Sequence, residues 1–87
     1  MPYIKKEDRE KYANLLSEIY NVNVIETKGD LEFLIFNLMI KFMQTREKRY
    51  STLHDCVYAA MHCADEFRRR YLDKREDEAM NTNGDIS

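Results

Sequence analysis

The first third of the chain carries apolar residues at helical spacing. Four of them are three or four residues apart, the period that places side chains on one face of an α-helix. They are Tyr12, Leu15, Leu16 and Ile19. The pattern predicts a first helix over residues 6–20. It ends in residues 21–25, where asparagine and β-branched residues favour an extended or turning connector.

A second helix is predicted over residues 31–44, with Asp30 as its N-cap after the turn residue Gly29. Ten of these fourteen positions are apolar, so the apolar surface covers nearly the whole circumference. A helix of this kind has to be covered on all sides. Two amphipathic partners of similar length can hardly do so within one chain. We therefore expect a homo-oligomer, a dimer or a tetramer, with this helix in the shared core.

A third helix is predicted over residues 52–79, capped by Ser51 or Thr52, before a loose polar tail of residues 81–87. At 1.5 Å per residue it would be about 42 Å long. A compact chain of this length has a radius of gyration of about 12 Å. The third helix should therefore overhang its own chain or pack on another subunit. The expected fold is all-α: a single helical domain over residues 1–80, made of a helical hairpin and a long third helix.

Composition and charge narrow the class of protein. With 87 residues the chain forms one domain at most, and 2 glycines and 1 proline are too few for the turns of an all-β fold. The net charge of −2 does not suit a protein that binds duplex DNA. Residues 31–50 carry four basic and two acidic groups, whereas residues 73–87 carry two basic and five acidic ones. The middle is basic and the tail is acidic, although such a mixture is also typical of a solvated surface.

The cysteines and the hydropathy pattern bear on the cellular compartment. The start of the chain lacks the apolar run of a signal peptide, and residues 31–43 are too short and too often interrupted to span a bilayer. Cys56 and Cys63 lie about 10 Å apart along one helix, which is too far for a disulfide between them. We interpret both as buried small apolar residues, with a disulfide between subunits as the alternative. A reducing cytoplasm, with no membrane association, is the expected location.

Residues able to support catalysis or metal binding are sparse. His54 and His62 share a helical ridge with Tyr58, and His62 could share a metal with Glu66 four residues later. The chain has no HExxH, no paired CxxC and no phosphate-binding glycine loop. Neither cysteine is predicted within reach of a histidine base. We therefore expect no metal, no cofactor and no catalytic residues, and a role in binding.

Tyrosines lie beside cations at several places in the sequence. An aromatic face can stack a nucleobase, and a guanidinium can hold a phosphate. The candidate ligand-binding residues are Tyr3, Lys5, Lys6, Arg9, Arg46, Arg49, Tyr50 and Arg68. They predict capture of a small anionic ligand, such as a nucleotide, at a subunit junction. Alternatively, the tyrosine rings simply pack at helix ends and the chain is a protein–protein interaction module with no small ligand.

Four blocks of the sequence resemble a family of small, functionally unassigned proteins of bacteria and phages. They are MPYIKKEDREKY, KGDLEFLIFNL, CADEFRRR and NGDI, and they occur in the same order over the whole chain. The resemblance departs at residues 21–27. It would make Tyr3, Lys5, Lys6 and Arg9, with the Asn83-Gly84-Asp85 segment, candidates for a shared site. The phage association suggests a counter-defence role, by analogy with small helical oligomers that sequester cyclic-nucleotide signals.

Overall fold

Three helices make up the part of the chain that the structure, a computed structural model, describes, namely residues 4–84. Helix α1 covers residues 6–21, as α-helix Lys6–Arg9, a 3-10 turn Glu10–Tyr12 and α-helix Ala13–Asn21. Helix α2 is Lys28–Gln44. Helix α3 covers residues 50–83, as Tyr50–Phe67, a π-helical segment Arg68–Leu72 and Asp73–Asn83. The predicted all-α class is confirmed.

The start of α2 differs from the prediction. Its N-cap is Thr27, and Asp30 lies three positions into the helix. The Thr27 hydroxyl accepts a hydrogen bond from the Asp30 amide at 3.0 Å, and the Asp30 carboxylate accepts one from the Thr27 amide at 3.3 Å. This reciprocal capping box satisfies two backbone donors at once. Asp30 therefore caps the helix from inside, and Gly29 is helical.

Loss of the capping box should lower stability without changing the fold. Replacing Thr27 by alanine removes the acceptor for the Asp30 amide, and such caps contribute about 1 kcal/mol. Urea denaturation followed by circular dichroism should show that decrease in the free energy of unfolding. Thr27→Ser keeps a hydroxyl and should stay near the wild-type value. Equal stability of both variants would show that the cap contributes nothing.

Helix α3 begins earlier and ends later than predicted. It starts at Tyr50, with an extended Arg49 as the N-cap residue and no side-chain cap, so neither Ser51 nor Thr52 caps it. It runs to Asn83 and ends at Gly84, whose φ of 88° lies in the left-handed region. Residues 81–83 of the predicted tail are therefore helical, since no glycine or proline interrupts the chain before Gly84. Residues 85–87 lie outside the described residues.

Packing between α2 and α3 creates the core of the hairpin. Cys56 is the one buried residue among those described, with 9% of its surface exposed. Its thiol lies 3.6 Å from the carbonyl oxygen of Met39 on α2. Ile40, Phe42 and Met43 of α2 are half-buried around this contact. Cys63 is exposed, which contradicts the prediction that both thiols are buried; the half-buried residues of α2 lie within 39–43, next to the turn, and Cys63 is about two helical turns farther along α3 than Cys56.

Most of the remaining apolar surface is unpartnered. Every residue from 4 to 38 is exposed, including the apolar stripe of α1. The chain exposes 8301 Å², whereas a folded monomer of its mass exposes about 5,400 Å², an excess of about 2,900 Å². Its radius of gyration is 16.8 Å, against about 12 Å for a compact domain. A single copy thus leaves uncovered the apolar surface that a folded protein normally buries.

Candidate ligand-binding site

The turn between α2 and α3 holds three cations in residues 45–49. Arg46 is fixed at the end of α2: its Nη1 donates hydrogen bonds to the carbonyl of Phe42 at 3.0 Å and to the hydroxyl of Thr45 at 3.2 Å. Its guanidinium lies 3.7 Å from the centroid of the Phe42 ring. This is a cation capping the negative end of a helix dipole. Because these bonds use only Nη1, the other guanidinium nitrogens can still bind an anion.

Arg49 and Glu47 form an ion pair across the same turn. The turn is tightened by a backbone hydrogen bond of 2.9 Å between the amide of Arg49 and the carbonyl of Glu47. Both side chains are more than two-thirds exposed, so water and salt screen their attraction. An exposed pair of this kind holds Arg49 in place but can be exchanged for a more highly charged anion.

Tyr50 opens a row of aromatic rings along α3. The row, here called the aromatic ridge, consists of Tyr50, His54, Tyr58 and His62. Successive centroids are 5.8, 4.3 and 6.3 Å apart, within the range of attractive tilted ring pairs. Tyr50 itself is 82% exposed. The ridge therefore ends in an exposed ring at the residue that follows the cations of the turn in sequence.

Sequence reasoning recognised only part of this ridge. His54, His62 and Tyr58 are predicted to share a ridge, whereas the predicted third helix starts after Tyr50. The four-residue spacing of all four rings was the available signal, since side chains four apart are neighbours on a helix. Once α3 starts at Tyr50, the same spacing extends the ridge to the turn.

Arg68 lies far from the turn. It follows Tyr50 by eighteen helical positions, or about 27 Å, and its Nη1 is 4.0 Å from the Asp65 carboxylate. The neighbouring Glu66 accepts hydrogen bonds from Arg69 at 2.5 Å and Arg70 at 2.7 Å, and its side chain is only 17% exposed. Glu66 therefore faces arginines where a metal shared with His62 had been considered. Within one chain, Arg68 is therefore too far from the turn to belong to the same binding site.

The predicted cations of the amino-terminal part form a third place. Lys5, Lys6 and Arg9 are exposed at the start of α1, and Nε of Arg9 donates a hydrogen bond to the carbonyl of Ile4 at 2.9 Å. Tyr3 and Asp85 lie outside the described residues. Because α1 makes at most marginal contact with the hairpin, these cations do not join the turn in a single chain. Of the eight predicted residues, Arg46, Arg49 and Tyr50 share the segment 45–50 because they are close in sequence.

The described part of the chain, residues 4–84, contains no group of three or more histidine, cysteine or carboxylate side chains arranged to hold a metal ion. It also contains no helix with both the length and the apolar character required to cross a bilayer.

The described fold and site define a small helical protein with exposed apolar helices and an aromatic ring beside a basic turn. Residues 1–86 match the model of a family described as a domain of unknown function (DUF6899). The chain belongs to this family. Searches of curated proteins and of solved structures gave no match.

Proposed function

We propose that this protein is a small homo-oligomer that captures an anionic ligand, such as a nucleotide, at the α2–α3 turn. The observation that supports the proposal is the exposed ring of Tyr50 in the segment 45–50, which also holds Arg46 and Arg49. An aromatic face accepts a base by stacking, and arginine forks bind phosphate through paired hydrogen bonds. Ring and cations belong to one exposed segment of the chain.

The local charge balance supports an anionic ligand. Residues 45–50 carry Arg46, Lys48 and Arg49 against a single carboxylate, Glu47. Arg46 is held by the end of α2 and Arg49 by its ion pair, so both are positioned before a ligand arrives. Positioned cations lose less conformational entropy on binding than free ones do.

The other predicted residues would contribute to the site only when several subunits assemble. Tyr3, Lys5, Lys6 and Arg9 would complete the site if the α1 of one subunit lies beside the turn of another. The family resemblance to phage proteins leads us to propose sequestration of a cyclic nucleotide, as a counter-defence activity in the cytoplasm, as the biological setting. These two proposals, the site shared between subunits and the biological setting, are made by analogy.

An Arg49→Ala variant tests the proposed site. Removing a guanidinium that binds phosphate should weaken nucleotide affinity about tenfold or more, in line with about 1.5–3 kcal/mol for a hydrogen bond to a charged group. Titration calorimetry with cyclic dinucleotides and nucleoside monophosphates measures the affinity. Thermal stabilisation of the wild type by the same compounds, which grows as RT ln(1 + [L]/Kd), gives an independent readout.

Arg75→Ala is the matched control, because Arg75 is also exposed and ion-paired, with Glu78 at 3.7 Å, but lies far along α3. It should bind nucleotides like the wild type. If both variants lost the same nucleotide affinity, the turn would not be the binding site. A wild type that no nucleotide stabilises would refute the nucleotide proposal.

The second candidate function is a protein–protein interaction module. It is favoured by the exposed apolar face of α2, which includes Leu31, Leu34, Ile35 and Leu38. In that case the chain would be monomeric at micromolar concentration and would present this face to a different protein. Sedimentation velocity separates the two candidates, because the first requires a homo-oligomer and the second a monomer.

A further inference from the structure

We infer that the free half of α3 is a self-association surface on which two copies pack antiparallel. The pair is centred on Leu72, so that Arg68 of each copy faces Glu76 of the other. This inference rests on the homo-oligomer of the proposed function and specifies one of its interfaces.

The free half exists because α3 is twice as long as its partner. Helix α2 has 17 residues and spans about 25 Å, whereas residues 50–83 span about 51 Å. The part of α3 beyond α2 still carries large apolar side chains. Phe67, Tyr71 and Leu72 are 65%, 61% and 48% exposed. Apolar side chains at this density on an uncovered helix are typical of an interface.

The π-helical segment keeps one set of side chains on a single face. Ala64, Arg68, Leu72, Glu76 and Met80 recur every four residues. In a regular α-helix such positions drift by about 40° per step, because one turn takes 3.6 residues. The amide of Asp73 instead bonds to the carbonyl of Arg68, five residues back, so the turn at Arg68–Leu72 is wider. The wider turn offsets much of the drift and aligns the five residues as a seam.

Charge order along the seam selects the antiparallel arrangement. In an antiparallel pair centred on Leu72, Arg68 faces Glu76 of the other copy, and the small Ala64 faces the large Met80. A parallel pair would instead put Arg68 against Arg68 and Glu76 against Glu76. Opposite charges facing each other favour pairing and like charges oppose it. In the antiparallel arrangement the charges and side-chain sizes of one seam therefore complement those of an identical seam, as a two-fold interface requires.

Arg68 is available for this contact. Arg69 and Arg70 both bind Glu66, while Arg68 only reaches Asp65 at 4.0 Å. Arg68 and Glu76 are eight residues apart on the same helix, about 12 Å along its axis, and so cannot pair within one chain. An interaction between them must join two copies.

A charge-swap series tests the pairing. Arg68→Glu and Glu76→Arg alone should each raise the self-dissociation constant at least tenfold, since each places two like-charged pairs in the interface. The double variant R68E/E76R should return it to within about threefold of the wild type, as coupled positions in a double-mutant cycle do. Sedimentation equilibrium measures the constant. Lys74→Glu makes the same charge change away from the seam and should have little effect. Failure of the double variant to restore association would overturn the inference.

A cross-link tests the two-fold centre directly. In a Cys63→Ser background, Leu72→Cys places the same thiol of both copies next to each other, within disulfide range when helices pack closely. Mild oxidation should give a covalent dimer on non-reducing gels, whereas Lys74→Cys should stay monomeric. Equal cross-linking of the two variants would contradict the inference.

The outcomes separate this interface from the proposed function. A chain that remains monomeric at every concentration removes both the homo-oligomer and this interface. An oligomer that neither cross-links at residue 72 nor responds to the charge swap removes this interface alone. The effect of Arg49→Ala on nucleotide affinity tests the turn separately from both of these results.

Discussion

A Cys56→Asp variant should lose the α2–α3 hairpin and be largely unfolded at 25 °C. Cys56 is the buried centre of the contact between these helices, and its thiol faces a backbone carbonyl of α2. A carboxylate in its place would be desolvated and would face the Met39 carbonyl oxygen, which repels it. An uncompensated buried charge costs about 3–5 kcal/mol, a large part of the roughly 5–15 kcal/mol that stabilises a native protein. Circular dichroism with urea titration should show the loss of helix.

Cys63→Asp is the matched control, because it makes the same substitution seven residues later at an exposed position. Its stability should stay close to that of the wild type. Cys56→Ala should fall between the two, since it removes only packing. If the two aspartate variants were equally stable, Cys56 would not lie in the core of the folded protein.

A Leu34→Asp variant should lose the proposed association through α2. Leu34 lies on the exposed face of α2 opposite the hairpin contact, where a second copy is proposed to pack. Burial of a leucine contributes about 1.5–3 kcal/mol, and a carboxylate there would add a desolvation penalty. A two-fold assembly contains each substitution twice. The dissociation constant of the contact through α2 should therefore rise by more than a hundredfold, which size-exclusion chromatography with light scattering can detect as a smaller assembly.

Leu34→Met supplies the control, since it keeps an apolar side chain of similar volume. It should remain oligomeric. The hairpin should survive in both variants, because Leu34 is exposed and lies outside the half-buried stretch 39–43 of α2, so thiol labelling should still find Cys56 protected. An aspartate variant that assembles like the wild type would show that this face of α2 is not an interface.

The periodic pattern was sufficient to predict the three helices, but their ends depend on local hydrogen bonds. Asp30 was predicted as an N-cap because Gly29 reads as a turn residue. The structure extends α2 through Gly29, since Thr27 and Asp30 cap each other. At α3 the polar Ser51 and Thr52 suggested an N-cap. The helix instead starts at Tyr50 and has no side-chain cap. The π-helical segment has no simple sequence signature, because it lies in an otherwise regular helical pattern.

The candidate site could be predicted only as far as its residues are neighbours in sequence. Arg46, Arg49 and Tyr50 belong to one short turn, so the chain itself holds them together. Whether Arg68 or the start of α1 joins them depends on how helices are arranged in space, which periodicity does not determine. Cys63 illustrates the same limit: it shares a helical face with Cys56, yet it is exposed, because the half-buried residues of α2 lie only near the turn.

The isolation of α1 has a consequence for how the protein responds to its own concentration. This helix has sixteen residues, is interrupted by a 3-10 turn and is exposed along its whole length. Helices of about this length are marginal in water without tertiary packing. Folding of α1 should therefore be coupled to association, so that dilute chains fray there and become open to proteolysis, whereas crowded chains are helical and protected. Expression level would then set the share of intact protein in the cell.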